Sequence, residues 1–196
     1  MVAPSRAAAN RRQRGVLLIE VLVTLVIVSI GLLGLAGAQV HLQRTELDAY
    51  QRSQALLLLS DMVSRISTNR SHASAYLVAV SSPLGAGASC PTGTATVAQL
   101  DLAEWCSALQ GAAETVVVGG VTATTGGLVN GRGCIENVNG DYLVTVAWQG
   151  QIALSPPPAG VACGAGSYNG SIGSDCADDR CRRAVTTLVR LADLSP

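Results

Sequence analysis

The chain has 196 residues, 48% apolar and 13% charged, and its 13 basic residues, all Arg, balance 13 acids. Without the four Arg of the first 15 residues, 13 − 4 = 9 Arg face 13 acids, a net of −4, which leaves no broad positive footprint for nucleic acid. The length allows one modest domain beyond a membrane segment, and the absence of Lys and Phe carries no functional content.

The chain begins with a basic stretch, Arg11-Arg12-Gln13-Arg14-Gly15, that runs into an apolar tract from Val16 to Val28 broken by one acid, Glu20. From Val21 to Val40 there are 20 residues without a formal charge, and a helix of that length spans roughly 30 Å, the thickness of a bilayer core. Arg6, Arg11, Arg12 and Arg14 hold the N-terminus on the cytoplasmic side, which puts everything after about His41 outside the cytoplasm. A secretory signal has a short apolar core with its cleavage site after it. Here the run is longer and the glycine precedes it.

Glu20 is what a plain signal anchor does not explain, because an acid within a membrane segment costs about 2.5–3.5 kcal/mol and marks a partner or a function. Cleavage after Gly15 would free an amine at Val16, and the carboxylate could then pair with such an amine on a neighbouring subunit. The competing reading is a generic anchor whose Glu20 sits near the headgroups. Further on, Gly31, Gly34, Gly37 and Ala38 recur at three- and four-residue intervals, a spacing that permits close helix–helix approach or local unwinding.

No proline occurs between Pro4 and Pro83, so the helix is expected to continue past the membrane to about Thr68, roughly 80 Å from Val16. Ala55, Leu58, Leu59, Met62 and Ile66 form an apolar stripe while Arg52, Asp61 and Arg65 fall elsewhere, and core packing is preferred to a partner-binding face. Ser81 to Gly93 reads as a loop, and Leu100 to Leu109 as a short helix with Leu102, Trp105 and Leu109 on one face. Strands are expected at Thr115 to Val118, Gly133 to Val138, Asp141 to Trp148 and Ala184 to Leu191. Asn139-Gly140 suits a type I′ turn between the second and third. Alternation puts Tyr142, Val144, Val146 and Trp148 on one face, with Leu143, Thr145 and Ala147 on the other.

Six cysteines, Cys90, Cys106, Cys134, Cys163, Cys176 and Cys181, all fall in the part expected outside the cytoplasm, where disulfides persist. Three disulfides are the economical reading. Six cysteines allow 15 connectivities, and nearest-neighbour pairing (Cys90–Cys106, Cys134–Cys163, Cys176–Cys181) is one candidate among them. A metal site is disfavoured, since there is no C-x-x-C pair and the two histidines, His41 and His72, lie far upstream. Gly166-Ser167-Tyr168-Asn169-Gly170 has its serine one position early for a nucleophile elbow, so neither an enzyme nor a cofactor is expected. Asp175, Asp178 and Asp179 lack the spacing of an EF-hand loop and read as turn and capping residues. Arg180, Arg182 and Arg183 read as a solvated turn.

The tract from Gly15 to Val28, above all Leu18-Ile19-Glu20-Val21-Leu22-Val23-Thr24-Leu25-Val26-Ile27, resembles the class III signal of type IV prepilins and pseudopilins, with Val16 in place of the usual Phe and Leu17 in place of Thr. The resemblance implies cleavage between Gly15 and Val16 by a prepilin peptidase, N-methylation of Val16, and an assembly role for Glu20. It also implies an α+β, type IV pilin-like fold, a long N-terminal hydrophobic helix packed on a C-terminal antiparallel sheet domain with disulfides. The expected divisions are a leader at 1–15, a transmembrane and assembly helix at 16–40, a helical extension at 41–70 and a periplasmic or extracellular domain at 71–196.

Ser60 to Arg70, Asp101 to Trp105 and Tyr142 to Trp148 are similar to the PilV family of minor pilins, also described as type IV pilus modification proteins. That likeness implies a subunit that primes pilus assembly in the inner membrane and supports twitching motility or adhesion. Its implied partners are other minor and major pilins, a tip adhesin, the inner-membrane assembly platform and membrane lipid. A minor pseudopilin of type II secretion is the alternative and a competence pseudopilin the third reading; domain length and cysteine number favour the pilus.

Overall fold

The computed structural model describes residues 16–112, 115–124 and 127–191. The expected cleavage glycine, Gly15, and the basic residues before it lie outside these. The chain divides into two compact units within one helix, at Thr45/Glu46.

Helix α1 spans Val16–Thr68, and 3-10 turns follow at Arg70–Tyr76. In the second unit the stripe of α1 does what its spacing suggests: Ala55, Leu59, Met62 and Ile66 are buried and Leu58 packs beside them. Helix α2, Val97–Leu109, starts three residues earlier than the apolar pattern predicts, because Thr96 caps it by accepting a hydrogen bond from the Gln99 amide (3.2 Å). Its Trp105 and Leu109 face the core and Leu102 packs partly against it.

The main sheet is antiparallel, in the order β1 (Leu84–Gly85), β4 (Arg132–Val138), β5 (Asp141–Gln149), β6 (Arg182–Val189). Thus the expected loop at 81–93 contains a two-residue edge strand, Leu84 opposite Gly133 and Gly85 opposite Arg132. Asn139 and Gly140 close the β4–β5 hairpin with φ of 55° and 94°, the two left-handed residues that a type I′ turn requires. β6 begins two residues before its expected start and ends two before its expected end, with Tyr142 opposite Val189 and Gln149 opposite Arg182. A separate hairpin pairs β2 (Thr115–Val118) with β3 (Val121–Thr124). The second of these strands is unexpected; Gly119-Gly120 at φ of 60° and 82° makes the turn.

From Val144 to Trp148 every β5 residue is buried, so both faces of the sheet are covered. Val144, Val146 and Trp148 face α1 and α2, joined by Ile135 of β4. Thr145 and Ala147 lie beneath the irregular segment from Gly150 to Cys181, where Cys163, Tyr168 and Cys181 are buried. A buried irregular segment has few ladder hydrogen bonds, and here covalent bonds supplement them. The structure joins Cys90 to Cys106, Cys134 to Cys163 and Cys176 to Cys181, each to its neighbour in sequence. The overall architecture, a long N-terminal apolar helix packed on an antiparallel sheet with three disulfides, is type IV pilin-like.

The three-arginine turn departs from expectation. Arg180 is exposed, but Arg182 is only 4% exposed; it donates to the carbonyls of Val161 (2.6 Å) and Cys163 (3.1 Å) and pairs with Asp179 at 3.2 Å. Arg183 donates to the Ile152 carbonyl at 2.6 Å. These cations therefore stitch the covering segment to β6, with backbone carbonyls taking the place that water was expected to fill.

Candidate functional site

Within the first unit, α1 is apolar on every side and its large side chains are exposed, Leu18, Ile27, Leu33 and Leu42 among them. Among the described residues it is the one helix long and apolar enough to cross a membrane. Its hydroxyls are satisfied on the helix itself: Thr24 donates to the Val21 carbonyl (2.9 Å) and Ser29 to that of Leu25 (2.7 Å), so neither adds a bare polar group to an apolar medium. Glu20 differs. It is exposed, and among the described residues it has no ion-pair partner. Gly31, Gly34 and Gly37 have open space where a side chain would begin, as a surface for close helix approach requires.

Residues 10–36 match the prokaryotic N-terminal methylation motif. The match takes in Gly15, Val16 and Glu20 and supports a type IV pilin- or prepilin-like protein. No curated protein and no solved structure matches the chain.

In the second unit the end of α1 is fixed to the domain by one polar cluster and one indole. Arg65 donates to Asp61 (2.9 Å), Asp101 (2.7 Å) and Glu104 (2.7 Å), joining α1 to α2. Burial disfavours the charged guanidinium, but its hydrogen bonds to the three carboxylates outweigh this and raise the Arg65 pKa. The Tyr76 hydroxyl donates to Asp101 and accepts from Asn69 (3.1 Å). Burial, and then the bond to Asp101, push its pKa above the ordinary tyrosine value. Trp105, fully buried, donates from Nε1 to the Leu58 carbonyl of α1 at 3.0 Å.

Of the other residues singled out in the sequence, Ser167 lies in an exposed turn and His72 in the 3-10 segment, where its Nδ1 lies 3.0 Å from the Ser71 hydroxyl. Asp179 accepts from the Gly166 amide (2.8 Å) and, like Asp178, has a positive φ, the turn role expected of it. Arg132 was not legible as special; the one signal available was its position between two glycines, Gly131 and Gly133.

Proposed function

We propose that the protein is a minor pilin of the type IV pilus, of the PilV kind, which primes filament assembly from the inner membrane. The observation that carries this is the conjunction of the methylation motif at residues 10–36 with a disulfide-bonded, pilin-like domain. Prepilin peptidase cuts between Gly15 and Val16 on the cytoplasmic face, Val16 is N-methylated, and the C-terminal domain stands in the periplasm. The apolar helix stores the subunit in lipid. Extraction into a filament becomes tolerable when neighbouring pilins replace lipid around it and an amine of a neighbour satisfies Glu20.

The deciding experiment counts surface pili in an in-frame deletion strain, with and without the retraction motor, beside an assay of type II substrate export. Few pili, recovering when retraction is blocked, with export intact, is the expected result. Normal pili with blocked export would make the chain a minor pseudopilin of type II secretion instead.

A further inference from the structure

Arg132 opens β4 and points to the sheet face that α1 does not cover, since Gly133 beside it meets Trp105 and the next residue on its own side is Cys134. Its guanidinium carbon stands 5.2 Å from the centroid of the buried Tyr168 ring. Nη1 is buried without a hydrogen-bond partner, and among the described residues no carboxylate lies within ion-pair distance. Arg132 itself is half-buried; a guanidinium with one nitrogen covered and without an acceptor is incompletely hydrogen-bonded, and a carboxylate that reaches its remaining N–H groups from the open side supplies acceptors.

Arg132 lines an open cleft of about 460 Å³ together with Ser81, Ser82, Ser89 and Ser167. That volume falls in the range of small-molecule sites, roughly 300–1,000 Å³, and exceeds what a lone carboxylate needs. The walls are fixed in advance. Gln110 Nε2 donates to the carbonyls of Gly85 (2.9 Å) and Ala88 (2.8 Å), and the Ala86 amide to that of Gly131 (2.8 Å). Cys90–Cys106 closes the loop behind the serines, and Cys134–Cys163 ties the covering segment to β4. Gly87, at φ of 78°, brings loop backbone over the guanidinium; a Cβ there would lie 3.7 Å from Arg132 Nη2.

We propose that this cleft binds a small hydroxylated carboxylate of the uronic-acid class, its carboxylate on the planar fork of Arg132 and its hydroxyls on the serine-bearing walls. Serine hydroxyls both donate and accept, which suits a polyol, and among the described residues no other cation lines the cleft to favour a multiply charged anion. The inference is independent of the pilus reading.

The test titrates the full chain in nonionic micelles with glucuronate, glucose and inorganic phosphate, read by calorimetry and ligand-observed NMR. Saturable glucuronate binding, at least about tenfold tighter than glucose or phosphate, is expected. R132Q should lose about tenfold or more and R132K less. S167L, in an exposed turn, should block the cleft while near-ultraviolet circular dichroism and the thermal midpoint stay unchanged. Phosphate or glucose binding as tightly as glucuronate would overturn the proposal. So would the absence of saturable binding, or R132Q and S167L both binding like the parent.

Discussion

Gly133→Ala tests whether close packing of α2 on the sheet holds the end of α1 in place. Gly133 sits in β4 without a positive φ, so alanine meets no backbone penalty there. The obstacle is space. An added Cβ would overlap Trp105 Cη2, lie 2.5 Å from Cζ3 and 2.8 Å from Leu109 Cδ1. The indole cannot retreat cheaply, being fully buried and held through Nε1 to the Leu58 carbonyl. Overpacking of one methyl costs about 1–3 kcal/mol, and the stiffer unfolded chain returns about 0.4–1 kcal/mol. A net loss of about 1–2 kcal/mol corresponds, for a domain of this size, to a fall of about 2–8 °C in the thermal midpoint. Near-ultraviolet circular dichroism of the oxidised full chain in micelles follows it, since it reports on Trp105 and Trp148. In a Trp105→Leu background the ring is gone, and Gly133→Ala should cost less than about 0.5 kcal/mol. An equal loss in both backgrounds would refute the steric argument.

Three further outcomes are expected. Glu20→Ala should leave processing at Gly15 largely intact but reduce recovery of the subunit in sheared pili, measured by immunoblot; undiminished incorporation removes Glu20 from the assembly mechanism. Cys134→Ser with Cys163→Ser opens a loop of sequence separation 29 and should cost about 3.5 kcal/mol by loop entropy, whereas opening Cys176–Cys181, separation 5, should cost about 2 kcal/mol. Urea melts that reverse this order would exclude chain entropy as the controlling factor. Tyr76 has its folded-state pKa raised, as does the buried Tyr168. The stability they contribute is fully present below the unfolded tyrosine pKa of about 10 and is lost as pH rises through the folded values. Tyr76→Phe should therefore flatten the fall in stability above about pH 10, and an unchanged alkaline slope counts against the Tyr76–Asp101 assignment.

The elements that could be read from the sequence are those whose pattern is local. The α1 stripe and the β4–β5 hairpin each follow from a period or a turn within about ten residues, and Asn139-Gly140 signals its own backbone geometry. β1 did not announce itself because its two residues are strand only through their pairing with Arg132 and Gly133. β3 was hidden by brevity: Val-Thr-Ala-Thr after two glycines alternates over only four positions, and the apolar pair, Val121 and Ala123, is small. Arg182 was misjudged because three nearby acids suggested solvent. The carbonyls of Val161 and Cys163, which accept its hydrogen bonds, are about twenty residues away in sequence. The candidate assembly site was legible from Gly15 to Val28 alone, whereas the Arg132 cleft depends on three segments that meet only in the folded domain.

The two faces of the sheet are closed by different physical means, and the difference explains where the disulfides lie. On one face α1 and α2 supply regular structure whose backbone is satisfied internally, leaving Met62, Ile66, Trp105 and Leu109 to exclude water. On the other, the cover has little regular structure and its hold comes from buried Arg182, the Asn130 carbonyl that accepts from Tyr168 (3.0 Å), and Cys134–Cys163. A small domain has limited apolar area to spend on a second core. Cross-linking the irregular side leaves room there for polar, unpartnered groups such as Arg132 that a face closed by apolar packing would exclude. Selective opening of Cys134–Cys163 should accordingly expose the Arg132 face to solvent before the α1–α2 face; Tyr168 and Trp105, both buried, report the two faces, and simultaneous solvent exposure of both rings would contradict this division.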